Sequence, residues 1–153
     1  MELQIKHLEP MRVACIRHIG PYQECTKAWE ALFKWATEKK IDPKTTHWIG
    51  ASYDDPETTP AEKLRYDACV VVSGDIQADD TVEIKNFPGG KYAYAVHKGP
   101  YRNMGQTFKA IFTEGFPKAG LEWRMEACLE FYPGECDGRP EEELITELYV
   151  PVK

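Results

Sequence analysis

His18-Ile19-Gly20-Pro21-Tyr22 is answered 79 residues later by His97-Lys98-Gly99-Pro100-Tyr101. The same offset carries Ile5-Lys6 to Ile84-Lys85, Ala31-x-Phe33 to Ala110-x-Phe112, and Tyr53 to Tyr132. One offset, close to half the chain, means that a whole structural unit was duplicated and fused. Two related halves must meet, and the seam between them is a natural place for a pocket.

Working outward from Gly-Pro-Tyr, each half reads alike. Upstream are two short alternating runs, Leu3 to Lys6 and Arg12 to His18 in the first copy, Val82 to Lys85 and Lys91 to His97 in the second. Glu9-Pro10 and Pro88-Gly89-Gly90 separate the runs, so each pair reads as a hairpin. Downstream, proline suits a first helical turn, where its missing N–H has no intrahelical partner. Cys25, Ala28, Trp29, Leu32, Phe33 and Ala36 then share one helical face, as do Met104, Phe108, Ile111 and Phe112. The helices are predicted to end near Lys39-Lys40 and near Gly115, with Pro117 just beyond. Two further strands close each half, Trp48 to Tyr53 and Tyr66 to Val72, then Met125 to Tyr132 and Ile145 to Val150. The intervening segments, 54–64 and 133–143, have the Pro, Gly and acid content of surface loops. The predicted fold class is α+β: a tandem duplication of a β-β-α-β-β unit with pseudo-twofold symmetry, antiparallel sheets flanked by helices, and a groove between the halves. It forms a single domain over 1–153, with repeat 1 at about 1–74 and repeat 2 at about 80–153. Ser73 to Asp80 is too short for a free linker.

Composition narrows the function. A chain of 153 residues with 42% hydrophobic and 12% aromatic content can bury a core. A net charge of −6 argues against an extended phosphate-binding surface and suits cationic ligands. No run approaches the roughly 18 apolar residues of a membrane span, and the first residues do not read as a signal peptide. Cys15, Cys25, Cys69, Cys128 and Cys136 are odd in number and include no C-x-x-C pair, which predicts reduced thiols and a cytoplasmic location. His18, His97, His7 and His47 show no metal-ligand spacing, and there is no phosphate loop or nucleophile elbow. Neither a metal nor a cofactor is expected.

Glu147 stands out, because it lies within the strand-like run Ile145-Thr146-Glu147-Leu148-Tyr149-Val150. It is either an edge glutamate in water or an acid among aromatics. In the second case it needs a cation, hydrogen-bond donors or a proton. An aromatic pocket with one central acid suits lipophilic cations, each ring adding about 0.5–2 kcal/mol of cation–π attraction. Asp67 holds the corresponding place in the first copy, as a second acid near the seam or as a strand-start aspartate. Trp48, Trp123, Tyr94 and Phe131 are candidate pocket walls or core residues. The repeated Tyr22, Tyr101, Tyr53 and Tyr132 read as scaffold, their hydroxyls tying loops to the core.

The duplicated unit with Gly-Pro-Tyr at the helix start resembles the GyrI-like small-molecule-binding domain. That family includes the effector-binding domains of AraC- and MerR-type multidrug regulators and stand-alone DNA gyrase inhibitors. The stretch from Tyr53-Asp54-Asp55-Pro56 to Arg65-Tyr66-Asp67 resembles the gyrase-inhibitor subgroup, and Glu147-Leu148-Tyr149-Val150-Pro151-Val152 resembles the family's closing strand. The resemblance implies a groove between halves that binds drug-like or natural-product ligands, with Glu147 as its central acid. Tyr149, Trp123, Phe131, Tyr94, Trp48 and Asp67 would stand around it. Three functions follow as expectations. The first is a non-enzymatic protein that binds small hydrophobic or cationic ligands. The second is a modulator of DNA gyrase or of a regulator protein. The third is a hydrolase of cyclopropane-bearing genotoxic compounds, with Glu147 and Tyr149 assisting attack of water. No helix-turn-helix flanks the repeat, so no DNA-binding domain, direct nucleic-acid contact or membrane contact is expected.

Overall fold

The computed structural model describes residues 3–42, 46–132 and 141–153. Among the described residues there are eight strands: β1 (Gln4–Leu8), β2 (Met11–Ile19), β3 (Trp48–Ser52), β4 (Arg65–Val71), β5 (Glu83–Phe87), β6 (Gly90–Lys98), β7 (Cys128–Tyr132) and β8 (Ile145–Pro151). They form one antiparallel sheet in the order β1-β6-β8-β7-β3-β4-β2-β5. Helix α1 (Thr26–Glu38) follows β2. The equivalent α2 (Met104–Ala110) follows β6 and continues through a π-turn (Ile111–Gly115) into α3 (Phe116–Ala119). Cys136 and the 133–140 part of the second acidic loop lie outside the described residues.

The first strands do not form the hairpins that the sequence suggests. β1 pairs with β6, and β5 pairs with β2. Each repeat therefore lends its first strand to the other. Leu8↔Gly90 and Met11↔Phe87 lie on one continuous antiparallel register, interrupted only where Glu9-Pro10 faces Pro88-Gly89. The cause is local. A two-residue hairpin needs left-handed residues at its turn, and neither Glu9 nor Pro10 has a positive φ. Proline also withholds an N–H from the ladder, so the ribbon bends here instead of reversing. The two connections touch: a Cβ on Gly89 would lie 2.5 Å from the Leu8 carbonyl oxygen and 2.9 Å from Pro10 Cδ.

The repeated His-x-Gly-Pro-Tyr motif has a mechanical role. Gly20 and Gly99 adopt φ of +135° and +126°, which favour glycine. His18 Nε2 donates to the Pro21 carbonyl at 2.9 Å, and His97 Nε2 to the Pro100 carbonyl at 3.0 Å. Each imidazole thus fixes the corner at which a strand becomes a helix. On α1, Ala28, Leu32, Trp35 and Ala36 pack on Trp48, Tyr66 and Val70. Met104, Ile111 and Phe116 pack on Cys128, Leu148 and Val150. The second helical stretch runs past Gly115 and ends at Gly120, whose φ is +66°. Pro117 is tolerated there because it falls in the first turn after the π-turn, where its missing N–H costs little.

The opposite sheet face curls on itself around Val13, Ile49, Cys69, Tyr92, Leu129 and Tyr149. Asp67 lies on this face with no exposed surface. Arg17 donates to its two oxygens at 2.8 and 3.2 Å, Lys85 at 2.7 Å and the Tyr53 hydroxyl at 2.9 Å. Burial pushes the Asp67 carboxyl up, but the bonds from Arg17 and Lys85 outweigh it and hold the group below its ordinary value. A lowered folded pKa contributes stability above the unfolded value, near 3.9, that is lost as pH falls through the folded one. Asp67→Asn is expected to cost about 2–4 kcal/mol at pH 7, since both cations lose their partner. The deficit relative to the wild type should shrink below about pH 4. Urea melts of both proteins at pH 7 and pH 3 measure it.

Candidate functional site

The two halves meet along β3 and β7, with Trp48↔Tyr132, Gly50↔Glu130 and Ser52↔Cys128 as facing pairs. Strand alternation turns these six residues toward the helices, and Ile49, Ala51, Leu129 and Phe131 to the other face. Above them, between α1 and α2, lies a cavity of about 980 Å³. Trp29 and Phe33 wall it from α1, and Met104, Phe108 and Phe112 from the second helical stretch. Tyr22 and Tyr101 stand at the two helix starts. Outside the cavity floor, Glu57 and Lys109 pair at 3.2 Å, joining the first half's 54–64 loop to α2.

Asp54, Asp55, Glu57, Arg102 and Lys109 also line this cavity, but Glu130 is its buried acid, 8% exposed. Its neighbours form a donor chain. The Trp29 indole N–H donates to the Tyr66 oxygen at 3.2 Å. Tyr66 and Tyr132 share a hydroxyl–hydroxyl bond of 3.1 Å, and the Tyr132 hydroxyl donates to Glu130 Oε2. Because Tyr132 gives its proton to Glu130, Tyr66 is the donor in the middle link. Among the described residues no lysine, arginine or histidine pairs with Glu130. Burial pushes its carboxyl up to about 7, against the lowering effect of bonds from Tyr132 and Tyr66. The Cys128 thiol is likewise driven up to about 12 by burial, and the Tyr66 and Tyr132 phenols well above their ordinary range. The floor is thus uncharged in mildly acidic solution and carries one poised proton near neutrality.

Gly50 makes room for this acid. A Cβ there would meet the Tyr66 hydroxyl and come within 2.9 Å of Glu130 Oε2. The repeat thus places glycine and glutamate opposite each other at the seam, and only one side carries a side chain.

Of the residues singled out in the sequence, Trp48 and Trp123 line the cavity. Glu147 does not. Leu148 and Val150 occupy the helix-facing positions of β8, so Glu147 and Tyr149 point to the opposite face. Phe131 and Tyr94 lie on that face as well, and the Tyr94 hydroxyl donates to Glu147 Oε1 at 2.9 Å. Asp67 is there too, neutralised by its own cations. Tyr22 ties a loop to the core, as its repetition suggested, by donating to the Asp54 carbonyl at 2.8 Å. Tyr132 instead reaches into the cavity. The missed signal for Glu130 is an acid in the middle of the apolar run Cys128-Leu129-Glu130-Phe131-Tyr132.

A duplicated sheet that closes a deep aromatic cavity over one buried carboxyl defines a small-molecule-binding module. The chain belongs to the GyrI-like family, described as the GyrI-like small molecule binding domain, which it matches over residues 1–153. A DNA gyrase inhibitor of Escherichia coli (strain K12) is 31% identical, the alignment covering 100% of this chain and 98% of that protein. Among solved structures, the EcmrR C-terminal domain superposes with a TM-score of 0.76 at 14% identity, covering 99% of this chain and 96% of that one. SAV2435 bound to tetraphenylphosphonium superposes with a TM-score of 0.68 at 19% identity, covering 100% and 94%. No helix among the described residues is long and apolar enough to cross a membrane.

Two outcomes follow from this geometry. The neutral Glu130 acid contributes stability that is complete below its unfolded value, near 4.5, and lost as pH rises through about 7. Stability of the ligand-free protein should therefore fall by about 3 kcal/mol between pH 4.5 and pH 8 from this group. Glu130→Gln should flatten that slope, read as denaturation midpoint against pH. Gly50→Ala should cost about 1–3 kcal/mol by crowding Tyr66 and Glu130, and a thermal melt checks it.

Proposed function

We propose that the cavity between α1 and α2 binds lipophilic organic cations, with Glu130 as counter-ion and Trp29, Phe33, Trp48 and Phe108 as apolar and cation–π contacts. The observation that carries this reading is one buried carboxyl at the cavity floor with no lysine, arginine or histidine paired to it among the described residues. A cation supplied by the ligand would lower the carboxyl's pKa and release its proton. A neutral ligand would bind over the protonated acid. The relative bound to tetraphenylphosphonium supports the charge and size of the ligand class.

Tetraphenylphosphonium binding, followed by quenching of tryptophan fluorescence, tests it. Affinity should fall roughly tenfold per pH unit below about 7, the mark of one coupled proton, and level off above. Glu130→Gln should cost about 1.5–3 kcal/mol, or at least tenfold, and abolish the pH dependence. Triphenylphosphine oxide, of similar shape but uncharged, should respond to neither change. Equal affinity of wild type and Glu130→Gln for the cation would remove Glu130 from the reading.

The 31% identity to a DNA gyrase inhibitor, over the whole chain, favours a second reading in which the protein modulates gyrase by contact. A supercoiling assay decides. Undiminished supercoiling by purified gyrase at high molar excess of this protein ends that reading and leaves ligand binding untouched.

A further inference from the structure

The pseudo-twofold axis relates not only the cavity walls but also the back of the sheet. There, Arg17↔Asp67 in the first half corresponds to Val96↔Glu147 in the second. Val13↔Lys85 likewise corresponds to Tyr92↔Lys6. Both halves therefore place an acid at the same point of the sheet, flanked by the same lysine position on the exchanged strand. In the first half the acid is closed off by Arg17, Lys85 and Tyr53. In the second half neither cation arrives. Valine replaces the arginine. The lysine is kept, but Tyr94 stands where the first half has Cys15, and its ring holds the Lys6 ammonium 3.5 Å from the ring centroid. Glu147 is left with the Tyr94 hydroxyl, and no cation pairs with it among the described residues.

We propose that this back face is a docking site for a partner protein that presents an arginine side chain, whose guanidinium takes beside Glu147 the place Arg17 takes beside Asp67. The chain's own first half shows the chemistry. Arg17 binds its acid through Nε and Nη2 together, with its guanidinium carbon 5.0 Å from the Tyr53 ring centroid. A planar fork reaches both carboxylate oxygens as well as the aromatic face, whereas the Lys85 ammonium, 5.4 Å from the same ring centroid, reaches one oxygen only. Beside Glu147 the rings of Phe131 and Tyr149 lie 4.8 Å apart, and those of Tyr94 and Tyr149 lie 5.1 Å apart. Tyr149 is buried and Tyr94 carries Lys6, so Phe131, half-buried and facing Glu147 across the ladder, is the ring that takes the part of Tyr53.

The shape selects a protein over a small molecule. Val96 and Ile145 share the face with Glu147 and are 49% and 40% exposed. Both lie outside the helix-covered cavity. An open apolar rim around a single acid resembles the centre of a protein interface, where arginine is enriched as an anchor. Small ligands favour concave sites. The net charge of −6 favours encounter with a basic surface.

The test uses the full chain and an acetylated Ala-Arg-Ala amide, followed by backbone amide shifts in ¹⁵N–¹H spectra. Saturable shifts are expected at Val96, Phe131 and Ile145 to Tyr149. They should be at least tenfold weaker for the same peptide with citrulline in place of arginine, and for Glu147→Gln. Val96→Arg should abolish the response by supplying the guanidinium from within, while keeping a folded spectrum. Glu130→Gln should leave it unchanged, which separates this face from the cavity. No saturable response, an equal response to citrulline, shifts confined to the cavity, or a response unaltered in both Glu147→Gln and Val96→Arg would each overturn the proposal.

Discussion

The backbone pairing of Gly50 with Glu130 at the centre of the sheet is the constraint on which the rest of the molecule depends. It joins the two halves into one continuous sheet and sets an acid on the seam. It also keeps open the space into which that acid, Tyr66 and Tyr132 fit. Had both strands carried a side chain at this point, the floor would fill and the helices would close on a packed core. Glycine in a strand interior usually weakens it and often marks a close approach by another group. Here that group is the hydroxyl of Tyr66, which relays the Trp29 indole to the Glu130 carboxyl.

Duplication supplies the frame, and departures from it supply the chemistry. The exchange of β1 and β5 makes each half incomplete without the other, so the seam cannot hinge apart without breaking ladder hydrogen bonds. Histidine, glycine and proline are kept in both copies because both need the same corner at the start of a helix. None of these histidines, glycines and prolines lines the cavity. The side chains over the seam differ instead: Trp29 and Phe33 on one helix face Met104, Phe108 and Phe112 on the other. A cavity with unlike walls can grip an asymmetric molecule in one orientation.

Much of the fold was legible because it rests on patterns that physics makes local. The 79-residue echo, the helical faces and the strand alternation each follow from a few adjacent residues. The strand exchange was not legible. Leu8-Glu9-Pro10-Met11 is compatible with a turn or with a bent continuous ribbon, and the choice falls to partners some eighty residues away. The site was half legible. The structure places one buried acid at the seam of two unlike halves, and Trp48 and Trp123 line the cavity above it. Glu147, the acid that stands out in the sequence, faces away from this cavity, and because Glu147 and Glu130 sit in equally apolar runs the sequence does not separate them. A shift of one residue in facing reverses which of them meets the helices. Only the packing of Leu148 and Val150 under Met104 and Ile111 decides that.

Three acids in this chain then show three ways of handling a carboxyl held in or against an apolar sheet. Asp67 is buried and ionised, because Arg17 and Lys85 are delivered to it by neighbouring strands. Glu130 is buried without a cation, so its proton is held to about pH 7 and phenols satisfy its oxygens. Glu147 is half-buried, with a phenol and no cation among the described residues. The first solution makes the group a strut: its charge is spent inside the molecule. The second makes it a switch, because any cation that enters the cavity must displace a proton to be fully felt. The third leaves a carboxyl with no cation beside it among the described residues. The same duplication produced Asp67 and Glu147, and around them Arg17 stands against Val96, Cys15 against Tyr94, and Tyr53 donates to Asp67 alone. Loss of the arginine, capture of the lysine by a ring and a longer acid together separate a buried internal ion pair from a half-buried carboxyl that no described cation partners.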